Sequence, residues 1–491
     1  MWIVLGILAV GGRSTDSPGS AVRFPWTAAG AMLARVDHAI RTSNRALWFA
    51  AFLPLLVIYT WTMRTNMTDM SPDPVAVAPS AWALAHLGTP VLPASYWPPH
   101  NPWAVTFAHG QVVSNRSAGL VLLAAPFYWL FHSASPWDQY PASIAAAFVT
   151  AAGMATLALV IRRLAPARTA LAVALIGGTA TTTWAVSGTA LWPHGPDQFL
   201  IAAAMLALAT HDTARAGVAF AFAVLIRPLR AIVAAICGCV AAGAQRSVRP
   251  MLTIGLIAGL GLVGSLAYAR HFWHGGLDSG YEAVGTGFVP PFTDFRPHAL
   301  GGFAVNIVGA VIAPGKGILA GSPFLIVLLP GLPAAWRRAP AWARSVAAGG
   351  IAYQLVMLKA NRFSGGQSFW GYRYPLGMLT ALAPLLVLAW QEWTAKTARR
   401  RTTFGVAVAV SITLQAVGAI CFRGPYVNRP WTLDYLGAAL TGPERLGAVA
   451  LVTAGGLVTV AILVRALRSG RTQMLDVAGA DRALHPVDVQ A

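Results

Sequence analysis

Charge is what this chain of 491 residues lacks most. Only 10% of it is Asp, Glu, Lys or Arg, where a soluble globular chain carries about 25%. With 56% hydrophobic residues, that deficit excludes an ordinary cytosolic enzyme and any disordered or fibrous class. Acids are scarcer still, 16 against 35 bases, a formal charge of +19. Cysteine is nearly absent. Three (Cys237, Cys239, Cys421) cannot form a disulfide framework, and none has partners at metal-ligand spacing. Also missing are a Walker-type glycine loop, HExxH and GxSxG. A nucleotide-driven pump and the common hydrolase chemistries go with them.

What is present is a series of apolar stretches. A bilayer core of about 30 Å needs about 20 apolar residues per helix. That criterion marks twelve spans, at 46–63, 140–161, 169–186, 196–210, 216–229, 230–245, 251–269, 317–333, 345–359, 374–391, 403–421 and 446–464. The expected fold is an all-α polytopic membrane protein of about twelve helices, within a range of eleven to thirteen. The short spans at 196–210, 216–229 and 230–245 set that range.

Basic residues orient the bundle, because cytoplasmic loops collect Lys and Arg. With the N-terminus inside, the inner segments hold 22 of the 35 bases and 7 of the 16 acids. The positive surplus is therefore a topology signal, which removes nucleic acid as a partner. Residues 1–45 form a cytoplasmic N-terminal segment, in which the apolar run 1–12 is too short to span and Met32 is a candidate start. Residues 46–391 are the functional core, 392–464 the C-terminal helices and 465–491 a cytoplasmic tail. Both termini lie inside, and the setting is a bacterial cytoplasmic membrane.

The long connections fall outside, at 64–139 and 270–316, and long irregular segments on one face of a bundle commonly carry function. Within the first, Ala118–Phe131 (AGLVLLAAPFYWLF) is too short to cross and reads as an interfacial or re-entrant helix. Asp69 and Asp73 follow the first span in Thr-Asp-Met-Ser-Pro-Asp-Pro. A carboxylate there is placed to take a proton from a hydroxyl nucleophile. Asp73-Pro74 reads equally as a helix N-cap followed by Pro at the first helical position. Asp69 has no such structural task, which makes it the better candidate base.

Basic residues at outer span ends (Arg227, Arg230, Arg270, Lys316, Lys359, Arg362 and Arg373) suit a phosphate group, Arg through its planar fork, or snorkel to lipid head groups. The aromatic tracts Tyr96–Trp103 (YWPPHNPW) and Phe369–Tyr374 (FWGYRY) suit sugar stacking or an interfacial belt. Asn115-Arg116-Ser117 is a glycosylation sequon, too common to weigh alone.

The order of these pieces resembles the C-type (GT-C) integral-membrane glycosyltransferases, near the bacterial relatives of the dolichyl-phosphate-mannose-protein mannosyltransferases, the glycosyltransferase 39 branch. The resemblance is carried by the early outer acids, by Ser114–Tyr128 (SNRSAGLVLLAAPFY), Leu191–Pro196 (LWPHGP) and Ile226-Arg227-Pro228. Pro314–Pro323 (PGKGILAGSP) and Gly365–Tyr374 (GGQSFWGYRY) complete it, over roughly residues 46–390. It implies a GT-C-like bundle that moves a sugar, with inversion, from a polyprenyl-phosphate donor to a glycan, lipid or protein acceptor of the envelope. By the same resemblance, Asp69 or Asp73 is the base, and Lys316, Arg373 and Arg227 hold the donor phosphate. His194, Trp97 and Trp370 contact acceptor or sugar. No cofactor is certain, and a divalent metal stays open. Two features depart from the family pattern: Met70 follows Asp69 where many members pair acids, and Ser364 stands where an aromatic precedes the paired glycines. A multi-pass transporter or lipid flippase is the alternative, although the chain shows no internal repeat.

Overall fold

The computed structural model describes residues 26–96, 105–108, 111–273, 297–365 and 369–422, with five further positions between 447 and 456. The start-site question, Trp97 and most of the expected span 446–464 lie outside the described residues.

Two helices open the described chain. α1 (Trp26–Thr42) is amphipathic and α2 (Asn44–Thr62) is apolar, divided by Ser43, whose side chain caps α2 at Ala46 N. Asp37 on α1 accepts from Arg168 Nε and Nη2 at 2.7 and 2.8 Å. That bidentate pair ties α1 to the start of α7 (below).

Beyond α2 come two short helices, α3 (Pro72–Val75) and α4 (Val77–Leu87). Three strands follow, β1 (Val91–Pro93), β2 (Val105–Ala108) and β3 (Gln111–Ser114). They pair antiparallel in the order β1-β3-β2, with Val91 opposite Val113 and Thr106 opposite Val113. This small sheet is an addition to the all-α expectation. Its strands are only three or four residues long, and no apolar alternation of useful length announces them. α5 (Ala118–Phe131) closes the segment on the boundaries read from the sequence, packed against α4 and α6.

The bundle itself runs through α6 (Tyr140–Ile161), α7 (Ala167–Thr179), α8 (His194–Ala209), α9 (Thr213–Ile226), α10 (Ala231–Gln245) and α11 (Arg249–Trp273). It continues with α12 (Pro297–Ile312), the short α13 (Ile318–Gly321), α14 (Phe324–Leu328) and α15 (Leu332–Arg338), then α16 (Ala341–Ala360), α17 (Leu376–Glu392) and α18 (Ala398–Ile420). α6 is the central helix, packed against α2, α7 and α8. Its alanine- and glycine-rich sequence lets neighbours approach closely: a Cβ on Gly153 would lie 3.0 Å from the Phe199 backbone. At the periphery α11 leaves Leu252, Leu256, Leu260 and Val263 exposed, as a lipid-facing helix does.

Among the described residues, six helices are long and apolar enough to cross a membrane: 44–62, 140–161, 228–245, 249–273, 376–396 and 398–420. The twelve expected spans are not all of this kind. The stretch 317–333 is broken into α13, α14 and the start of α15, because Pro323, Pro330 and Pro333 remove backbone donors. The expected helix 169–186 stops at Thr179. Beyond it Thr181 Oγ1 turns back to donate to Gly177 O, and a wider turn occupies Thr183–Ser187.

One contact between helices depends on a missing side chain. α17 passes the buried pair formed by Arg230 and Asp197 at Gly377, where a Cβ would collide with both the guanidinium and the carboxylate. Gly377→Ala is expected to lower stability by about 3 kcal/mol or more, since overpacking and a disturbed buried ion pair add. Thermal melting in detergent checks this against Gly243→Ala, whose position has nothing within 4 Å. Equal melting temperatures for the two variants would contradict it.

Candidate active site

Asp73 lies in the Ser71-Pro72-Asp73-Pro74 turn. Ser71 occupies the N-cap and Pro72 the first helical position of α3, so Asp73 falls inside the helix rather than capping it. The carboxylate is instead taken up by two arginines. Arg116 Nη2 donates to Asp73 Oδ1 at 2.7 Å, and Arg116 Nε donates to the Asp73 backbone carbonyl at 3.3 Å. Arg373 Nη1 pairs with Asp73 Oδ2. All three side chains are about one-tenth exposed, so the pair faces a crevice rather than bulk solvent.

Arg116 is fixed by where its backbone sits. It follows β3, its N–H donates to Ser114 Oγ, and the Ser114 N–H donates to Ser80 Oγ on α4. The small sheet therefore serves to aim an arginine. Arg373 is fixed by its loop. Gly365 and Gly371 hold φ of 68° and 66°, a left-handed backbone that side chains disfavour. A Cβ at Gly371 would strike Thr182, whose Oγ1 donates to Tyr372 O at 2.5 Å. The Arg373 guanidinium then lies 4.7, 5.0 and 5.1 Å from the rings of Trp192, Phe369 and Tyr374. Weakly hydrated guanidinium tolerates such an aromatic cage well.

Lys316 joins the group through the same Phe369. Its Nζ sits 3.5 Å from that ring and donates to Phe369 O at 2.8 Å. Burial, with the nearby Arg373 charge adding to it, pushes the ammonium down to about 7. On the other side, the His194 ring lies 6.3 Å from both Trp192 and Tyr374. Its Nε2 faces Arg227 Nη2 at 3.3 Å, and Arg227 Nη1 donates to Tyr353 Oη at 2.7 Å. With Nε2 accepting from Arg227, Nδ1 carries the ring proton. That buried atom has no hydrogen-bond partner among the described residues, so a donor stands ready for an oxygen atom.

Beneath His194 the same helix carries Asp197, which receives Arg230 Nε at 2.6 Å and pairs with Nη2 as well. Both side chains are fully buried, and the Arg230 guanidinium lies 3.6 Å from the Tyr353 ring. Among the described residues, Arg116, Arg373, Lys316, Arg227 and Arg230 gather about two carboxylates, Asp73 and Asp197. An excess of cations in a low-dielectric setting is an anion site. Among the described residues, no three His, Cys, Asp or Glu side chains converge as a metal ion would require. Each of the two carboxylates is already occupied by guanidinium, so the donor set fits an anion better than a cation.

An apolar pocket of about 100 Å³ adjoins this cluster. It runs along α17 from Thr380 to Trp390, roughly 15 Å at the helical rise. Leu, Val, Phe and Trp side chains line most of it. Four of its hydroxyl and amide groups (Thr181, Thr183, Gln198 and Thr380) lie toward Asp197 and Tyr372, and a fifth, Thr169, lies on the first turn of α7.

Of the residues expected from sequence, Asp73, Lys316, Arg373, His194 and Arg227 come together. Asp69 does not join them. It ends a short turn at Met67–Asp69, half-buried, and its carboxylate makes no hydrogen bond or ion pair among the described residues. Trp370 is buried against Gly418 and the Phe422 ring, which lies 6.0 Å away, and presents no open face. Within the tract 369–374, Phe369 and Tyr374 flank Arg373, while Trp370 and Tyr372 pack into the bundle. Arg116, Asp197, Tyr353 and Trp192 were not singled out as site residues from sequence. Arg116 and Trp192 lie within the tracts Ser114–Tyr128 and Leu191–Pro196, and that was their one signal. Asn115 of the sequon is 1% exposed, which leaves no surface side chain to modify.

No family model and no curated protein matches the chain. Solved structures of the oligosaccharyltransferase of Archaeoglobus fulgidus are similar in part. The complex with Zn and sulfate aligns with a TM-score of 0.46 at 13% identity, over 81% of this chain and 56% of that one. The form tethered to an acceptor peptide containing an NVT sequon gives 0.40 at 12%, over 86% and 55%. The complex with an inhibitory peptide and a dolichol-phosphate gives 0.39 at 12%, over 86% and 56%. The chain spans little more than half the length of these proteins.

Proposed function

We propose that this chain is a GT-C-type membrane glycosyltransferase. It moves a sugar from a polyprenyl-phosphate donor to a glycan, lipid or protein acceptor on the outer face of a bacterial cytoplasmic membrane. The observation that carries this reading is the convergence of Asp73 with Arg373 and Lys316, 300 and 243 residues away in sequence, beside His194 and Arg227. A carboxylate among phosphate-binding cations is what single displacement from a sugar phosphate needs.

In that displacement Asp73 takes the proton of the acceptor hydroxyl. The hydroxyl oxygen bonds to the anomeric carbon from the face opposite the leaving group, and the carbon–oxygen bond to phosphate breaks. Phosphate departs with the electron pair, held by Arg373 and Lys316, and His194 Nδ1–H donates to a phosphate or sugar oxygen. Configuration at the anomeric carbon inverts. The apolar cavity below accepts part of the hydrocarbon chain. Asp69, on the preceding turn, takes no part in this step.

The test uses the chain reconstituted in vesicles with a panel of farnesyl-phosphate-linked sugars and membrane extract as acceptor. Release of farnesyl phosphate with sugar appearing on an acceptor supports transfer. Movement of intact lipid between leaflets, with no bond broken, supports the transporter or flippase instead.

Lys316 supplies a pH signature. Its free-state value of about 7 leaves it largely uncharged in mild alkali, and a bound phosphodiester favours the charged form. Binding should therefore take up nearly one proton above about pH 7, with affinity falling as pH rises. Titration calorimetry in buffers of different ionisation enthalpy reads the proton count. Lys316→Arg should bring it close to zero, and a count near zero in the unaltered protein would contradict the role given to Lys316.

A further inference from the structure

As drawn, the site holds a contradiction for catalysis. The carboxylate assigned as base has both oxygens engaged, Oδ1 by Arg116 and Oδ2 by Arg373. A carboxylate paired with two guanidinium groups is a weak base. The two arginines differ, however, in how they are held. Arg116 grips Asp73 at two points, carboxylate and backbone carbonyl, and is anchored through Ser114 and Ser80. Arg373 reaches the Asp73 carboxylate through Nη1 and has its guanidinium beside three rings as well. It also packs on the same ring as Lys316, that of Phe369.

We propose that Arg373 is shared between the Asp73 carboxylate and the donor phosphate, so that donor binding draws Arg373 away and frees Asp73 Oδ2 to act as base. This rests on the glycosyltransferase reading and adds an order of events to it. In the empty site Arg373 masks the base. A phosphate arriving between Arg373 and Lys316 competes for the guanidinium. Asp73 then stays in position on Arg116, with one oxygen turned to the acceptor hydroxyl. Arg116 is thus a positioning residue, and the base is unmasked only when there is an activated sugar to receive the nucleophile.

Sharing has a consequence that a purely structural ion pair lacks: removing the base must strengthen phosphate binding. Farnesyl phosphate is the probe, titrated calorimetrically at fixed pH into the full chain in lipid nanodiscs. Asp73→Asn should bind it about tenfold tighter than the unaltered protein, the size expected when one charge-assisted hydrogen bond no longer competes. Asp69→Asn, which removes a nearby charge that does not pair with Arg373, should change binding by less than about twofold. In an Arg373→Gln background the gain from Asp73→Asn should vanish, because nothing is left to share.

Unchanged or weaker binding in Asp73→Asn overturns the proposal, since Asp73 would then be holding Arg373 ready rather than withholding it. A gain that persists in the Arg373→Gln background also overturns it, as simple charge repulsion would produce that result. Asp73→Ser gives the same comparison where the Asn variant does not fold. If the unaltered protein binds no farnesyl phosphate, the lipid-phosphate reading itself is wrong; binding without the coupling defeats only the sharing.

Discussion

Asp73→Asn is expected to reduce the rate of sugar transfer by about a hundred- to ten-thousand-fold, the contribution of a positioned general base. Asn keeps the shape and can still accept from Arg116, so the fold and the crevice should persist and the melting temperature should change little. What disappears is the site for the hydroxyl proton. The kinetic pattern is specific. Turnover falls because chemistry has lost its base, while the Michaelis constant for the donor also falls, because Arg373 is released to the phosphate. A structural role for Asp73 would move the Michaelis constant upward instead. Asp69→Asn, by the same logic, should keep turnover within about threefold, as its half-buried carboxylate makes no ion pair among the described residues. Initial rates of farnesyl phosphate release for the two variants check both statements. Loss of turnover in Asp69→Asn with turnover intact in Asp73→Asn would exchange their roles.

The second large effect concerns the pair beneath the site. Asp197 and Arg230 are fully buried and joined by two hydrogen bonds. Asp197→Leu leaves a guanidinium charge buried with no carboxylate, and the expected loss of stability is about 3–5 kcal/mol. Arg230→Met alone should cost a similar amount for the opposite reason. The double variant Asp197→Leu/Arg230→Met should recover most of the loss, because apolar groups of like volume avoid the desolvation of two ions. Melting temperatures of the three proteins in detergent decide this, and additive losses in the double variant would contradict it. Function should not recover with the fold. Arg230 supports the Tyr353 ring at 3.6 Å, and Tyr353 accepts from Arg227, which in turn meets His194. The double variant is therefore expected to fold while transferring sugar slowly.

Helix positions were the most legible part of the sequence, for a physical reason. A long apolar run is nearly sufficient for a helix where no water competes for the backbone, and Tyr140–Ile161 and Ala118–Phe131 appear on the boundaries that reading gave. Legibility failed where backbone chemistry overrode hydropathy. Three prolines broke 317–333, and a threonine run ended the helix at 179. The cations of the site were legible as span-end residues that hydropathy does not explain, and Lys316, Arg373 and Arg227 do meet. The choice between acids was not legible. Asp69 stood out because no local role was visible for it, whereas Asp73 looked like a cap. The contact on which the proposal favours Asp73, that of Arg116 and Arg373 with its carboxylate, spans 43 and 300 residues. Asp197 was hidden differently, inside a span where only its pairing with Arg230 makes a carboxylate tolerable.

The most direct measurement is a single turnover of the reconstituted chain with a farnesyl-phosphate-linked sugar and membrane extract, read by proton magnetic resonance. The expected result is one free farnesyl phosphate for each sugar transferred, with the anomeric configuration inverted and no such product from Asp73→Asn. Recovery of the donor intact on the opposite leaflet, at the same rate with and without the Asp73 carboxylate, would contradict it.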